Sequence, residues 1–206
     1  MAYSDFSIFD LRQQFDIHFR AEELFPGLTP VEPSQWLQQS LRIGQQVGFN
    51  SEKSRSERLV TPVLLELCER NDQSFSIYSG MSLDIDPAHG LRGECNFICS
   101  FSHIQDFITA PIFCIAEAKK QDLELGTIQC SAQLIGARKL NELEGNSPTT
   151  LFGCATTGIE WRFLKYEYDE IVLDKKRYLI NELDSLLGVL QTILDLSRKQ
   201  LAASPS

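Results

Sequence analysis

The spacing of apolar positions divides the chain into a helical start, a mixed centre and a helical end. Ser4 or Asp5 is placed to cap a short helix through Phe15, and Pro26, Gly27, Pro30 and Pro33 break it. Ser34 then caps a second segment carrying Trp36, Leu37 and Leu41. From Ser51 to about Glu69, Leu59, Val63 and Leu67 recur every fourth residue, which predicts a helix. Ser54 and Glu57 have capping-box spacing there, and Pro62 implies a kink.

The period then changes to two. Met81, Leu83 and Ile85 alternate with polar residues, Asp86 to Gly90 turns the chain, and Leu91 to Phe101 returns it as a second strand. Alternation puts Cys95, Phe97, Cys99 and Phe101 on one face and Glu94, Asn96 and Ile98 on the other. Ile112 to Ala118 is apolar on both faces, the pattern of a central strand covered on both sides. Gly126 opens a helix to about Leu140, whose Ala132, Gly136 and Ala137 suit close packing on a sheet. Two more strands, Leu151 to Ala155 and Trp161 to Tyr168, meet at Thr156, Thr157 and Gly158. A wide leucine stripe from Leu179 to about Leu196 ends the pattern, and Ala202 to Ser206 is expected to fray. The stripe either packs on its own domain or forms a homodimer contact.

Composition narrows this to a globular α/β protein. At 206 residues, 43% hydrophobic and 23% charged, the chain suits one domain with extensions and buries about 70% of its unfolded surface. No apolar run approaches the roughly 20 residues of a membrane helix, so no membrane partner is expected. The N-terminus lacks the basic region and apolar block of a signal peptide, which predicts a cytoplasmic chain. Its six cysteines lie within apolar patterns and form no Cys-x-x-Cys pair, so they read as free core residues. A net charge of −9 argues against nonspecific coating of nucleic acid. A locally basic site remains compatible with it.

Chemistry concentrates at the end of the central strand. Period two places Glu117 and Lys119 on one face, about 7 Å apart along the strand. A carboxylate there can hold a divalent cation and an ammonium can orient water or offset charge on a phosphate. His18, His89 and His103 are scattered, and there is no Gly-rich phosphate loop or nucleophile elbow.

The order helix, hairpin, central strand ending in Glu117-Ala118-Lys119, helix, strand resembles the core of the PD-(D/E)XK nuclease superfamily over about residues 51–168. Gly93-Glu94-Cys95-Asn96-Phe97 is similar to the family strand whose acidic residue faces the Glu-x-Lys, and Ile115 to Lys120 to its third strand. The helix bearing Gln129 and Gln133 resembles the glutamine-containing helix of some exonuclease-like branches. The resemblance implies a restriction-endonuclease-like core (helix, three-strand meander, helix, strand) over 51–177. Helical extensions then occupy 1–50 and 178–206. It also implies a metal-dependent hydrolase of DNA or RNA. Mg²⁺ or Mn²⁺ would be held by Glu117 and Glu94 with Asn96 and the carbonyl of Ala118. Lys119 would position water, and Gln129 would orient substrate or Lys119. Glu52, Glu57 and Glu66 compete for the first-helix glutamate, with Glu52 favoured. Asn96 departs from the family's aspartate, and a neutral amide is a poorer ligand for a hard cation. Either Glu94 takes that place, or the chain is a noncatalytic module that keeps the fold to bind nucleic acid or protein. Glu94 as a solvated edge carboxylate fits the second case.

Overall fold

The computed structural model describes residues 1–203. Its strands are β1 (His18–Glu22), β2 (Ser76–Ser82), β3 (Glu94–Ser100), β4 (Ile112–Ala118), β5 (Thr150–Thr156), β6 (Glu160–Glu167), β7 (Glu170–Asp174) and β8 (Tyr178–Leu179). Its helices are α1 (Ile8–Phe15), α2 (Gln35–Gln46), α3 (Glu52–Arg55), α4 (Thr61–Glu69), α5 (Leu123–Leu143) and α6 (Leu183–Ala203). The predicted tail thus begins inside α6, and Ser204, Pro205 and Ser206 lie outside the described residues.

One mixed sheet runs in the order β1-β7-β6-β5-β4-β3-β2, with β8 on β6. β2, β3 and β4 form an antiparallel meander, α5 carries the chain to β5 parallel to β4, and β6 and β7 return antiparallel. This is an α/β architecture with helices on both sheet faces. One core holds Leu41, Leu59, Val63, Phe163 and the α6 stripe, and the other packs α5 and the N-terminal segment on Ile98, Ile115 and Leu164. β4 is buried at all seven positions because it lies between them.

The helix entering the core shows how proline sets its shape. Pro62 has no N–H to give the carbonyl of Arg58, and the ladder widens just before it. Thr61 N–H reaches Ser56, so Ser56–Val60 is a π-turn between α3 and α4. Gly44 of α2 exploits the spare carbonyl, since a Cβ there would lie 2.6 Å from Arg58 O. The cap is Ser51 with Ser54, not Ser54 with Glu57. Likewise Ser7 caps α1, and Asp122 caps α5, which opens at Leu123, three residues before Gly126.

Three further expectations are corrected. The first fifty residues are not only helical, because β1 joins β7 in parallel at the far edge of the sheet. Gly136 makes room for the N-terminal segment, not the sheet: a Cβ there would sit 2.2 Å from Tyr3 Oη, which donates to Leu83 O at 2.8 Å. Gly136→Ala should therefore lose roughly 1–3 kcal/mol, measured by urea unfolding, and expose residues 1–7 to proteolysis. Finally, Cys95 lies in the α5-side core with Ile98, while Phe97 and Cys99 lie in the other. Strict alternation fails at Gly80, whose φ of +64° interrupts the pairing between Ser79–Phe97 and Met81–Cys95.

Candidate functional site

Glu117, near the end of β4, and Lys119, one residue past it, lie on the face that α5 covers. Glu117 is only 2% exposed. Lys119 Nζ lies 3.0 Å from Glu117 Oε1 and 3.7 Å from Glu52 Oε1, so one ammonium bridges β4 and α3. Its stem has space because residue 126 is glycine: a Cβ there would meet Lys119 Cγ at 2.9 Å and Ala155 Cβ at 3.4 Å. From α5, Gln133 Nε2 donates to Glu117 Oε2 at 2.9 Å, and the Asn96 backbone N–H also donates to this carboxylate.

Burial pushes the Glu117 carboxyl above its ordinary value, and Lys119, Gln133 and Asn96 oppose that without cancelling it. The desolvation of an almost fully enclosed carboxylate exceeds the gain from one cation that is itself partly hydrated.

Asn96 is placed by its side chain. Backbone register between β3 and β4 stops at Phe97–Ala116, and one row further Asn96 Oδ1 accepts from Ala118 N–H at 2.9 Å. The donor is a backbone N–H, so the amide orientation is fixed: the oxygen belongs to the sheet and Nδ2 is left for other contacts.

The structure therefore brings together Glu117, Lys119, Glu52, Asn96 and the buried Ala118. It leaves two expected residues apart. Glu94 is exposed beside Gly80, with its Oε1 3.5 Å from where a Gly80 Cβ would stand, and makes no hydrogen bond or ion pair with the others. Gln129 is half-buried and makes no hydrogen bond to Glu117 or Lys119, and Gln133, one turn on, holds the carboxylate instead. Of the other first-helix glutamates, Glu57 pairs with Lys53, and Glu66 binds Ser34 and Arg70 in the opposite core.

Sequence reasoning passed over two arginines nearby. Arg55 Nη1 donates to Thr157 O at 2.7 Å and stacks on Phe49, with its ring centroid 4.9 Å away. Arg162 lies beside Ala155, itself level with Glu117. Burial and then Arg177 hold the Arg162 guanidinium below its usual range. Alternation along β6 was the available signal for Arg162.

The donor set tests a divalent cation directly. Both Glu117 oxygens are engaged by donors, one a cation, and Asn96 offers a neutral oxygen already bonded to the sheet. No group of three or more His, Cys, Asp or Glu among the described residues is arranged to hold a metal ion. As placed, these residues do not fit Mg²⁺ or Mn²⁺. What they do is neutralise a buried carboxylate and tie three elements (α3, β4 and α5) together.

The chain matches no family model, no curated protein and no solved structure. Among the described residues no helix is long and apolar enough to cross a membrane.

Proposed function

We propose that this chain is a nuclease-fold module that acts by binding a macromolecular partner and has lost metal-dependent hydrolysis. The observation that carries this is Asn96. At the place where a PD-(D/E)XK nuclease would present aspartate to a cation, the side chain is a neutral amide whose oxygen accepts from Ala118 N–H. The nuclease-fold part of the reading is supported by connectivity: α4, the β2–β3–β4 meander, α5 and the parallel β5 follow in the order that resemblance implies.

One observation favours retained hydrolysis of DNA or RNA. Glu52 and Glu117 flank the same ammonium, at 3.7 and 3.0 Å, so two carboxylates already face one point. Calorimetric titration with Mg²⁺ and Mn²⁺, beside cleavage assays on single- and double-stranded DNA and RNA, separates the readings. The wild type is expected to bind neither ion and to cut none of these. Cleavage that Glu117→Gln abolishes would overturn the proposal, and loss on Glu94→Gln as well would show that Glu94 serves as the missing carboxylate.

Asn96→Asp sharpens the test at nearly constant volume. The new carboxylate keeps an acceptor for Ala118 N–H but sets a second negative charge beside Glu117. In chelator the variant should be less stable than wild type by about 1–3 kcal/mol, and Mg²⁺ should restore part of the loss through binding to the folded state. Thermal melts with and without Mg²⁺ read both effects.

A further inference from the structure

β2 is the last strand of the sheet, so one row of its backbone N–H and C=O groups has no strand partner. Such an edge is a template for another extended chain. Beside it runs a groove of about 960 Å³, walled by Trp36 of α2, Leu65 and Glu69 of α4, and Phe75, Ile77 and Tyr78 at the edge itself. These residues are separate from Glu117 and Lys119, and the surface stands whether or not that site hydrolyses.

Two features define what fits. The wall is apolar and uncovered, with Trp36 50% and Leu65 47% exposed. Its unspent charge is negative. Glu66 is held by Arg70 at 3.3 Å and by the Ser34 hydroxyl at 2.6 Å, while Arg70 also donates to Glu32 O. Glu69 is exposed and has only the Gln73 amide at 3.1 Å, with no cation paired to it among the described residues.

We propose that the free edge of β2 and this groove bind an extended segment of a partner protein whose alternate side chains, the set turned toward the groove, are apolar with a basic one among them. Its backbone adds a strand to β2. Of the alternate side chains that face the groove, apolar ones lie against Trp36 and Leu65, and a lysine or arginine of the same set reaches Glu69 with the Trp36 ring available to its cation. A second copy of this chain is the poorer occupant. An isologous contact sets like against like, so each Glu69 would face a groove of the same sign, between chains that each carry −9.

The test uses a fluorescein-labelled peptide in which every second residue is valine or lysine, with threonine between them, and follows anisotropy with the intact chain. The counterpart with glutamate in place of each lysine should bind at least roughly tenfold more weakly. Trp36→Ala and Glu69→Lys alter exposed side chains, so both variants should stay folded by circular dichroism, and each should weaken binding by about tenfold. N-methylation of one alternate set of peptide amides should abolish binding and of the other set spare it, because only one set faces β2. Equal binding of both N-methylated peptides, or indifference to Trp36→Ala, would overturn the proposal. So would dimerisation of the free chain in sedimentation that Trp36→Ala abolishes, since the occupant would then be a second copy.

Discussion

Replacing Lys119 by methionine is expected to destabilise the protein by about 3 kcal/mol at neutral pH, within the range for a buried charge that loses its partner. Glu117 is 2% exposed and would keep only the neutral donors Gln133 and Asn96 N–H. The Lys119 side chain is 20% exposed, and solvent screening places the loss at the lower end. The pH dependence identifies the cause. Burial already raises the Glu117 carboxyl above its ordinary 4.5, so the folded protein binds this proton more readily than the unfolded chain. The contribution of Glu117 to stability is therefore greatest in acid, falls as pH rises from about 4.5 through the folded value, and is flat above it. Without Lys119 that folded value moves higher, and the deficit of Lys119→Met should shrink as the solution is acidified. Adding Glu117→Gln should recover most of the loss at neutral pH. Urea unfolding across a pH series measures both. A deficit that is constant with pH, and that Glu117→Gln leaves unchanged, would assign Lys119 a packing role alone.

The parts of this fold that sequence made legible are those where one physical demand dominates. β4 is read to the residue, Ile112–Ala118, because burial on both faces leaves no polar position until Glu117. β1 and β7 escape because they are only five residues long, too short for a period of two to stand out, and carry the charged Arg20, Glu22 and Glu170. These charges satisfy each other: across the strands Arg20 Nε reaches Glu170 at 2.7 Å, and within β1 its guanidinium also pairs with Glu22. In the site, alternation alone puts Glu117 and Lys119 together. It cannot choose between Gln129 and Gln133, which share one stripe of α5, because the choice depends on how far that helix slides along β4. Nor can it see that Asn96 enters the ladder, or that Gly80 shifts Cys95 to the other core. Both depend on backbone dihedrals that period-two counting takes as uniform.

Deleting α6, by ending the chain before Leu183, should abolish the folded state. Leu186, Leu187, Val189, Leu190, Ile193 and Leu194 are all buried in the core shared with α4 and Phe163. Burying each such side chain contributes about 1.5–3 kcal/mol, so their joint loss exceeds much or all of the 5–15 kcal/mol typical of a whole domain. Polar anchors go with them. Gln191 and Asn71 exchange bonds at 2.8 and 3.1 Å, and Arg198 Nη1 reaches Asn71 Oδ1 at 3.1 Å. At the other end Gln200 Oε1 accepts from Thr150 N–H at 2.8 Å, pinning the helix to the start of β5. The leucine stripe is thus used within the chain, and a homodimer would need a different surface of α6. The expected result is aggregation on expression, or a state that keeps far-UV dichroism but loses the near-UV signal of Trp161 and its neighbours. The opposite result would be a folded, soluble truncated monomer derived from a dimeric parent. That would mean the stripe is an interface after all, and that the remaining sheet face is stable without its cover.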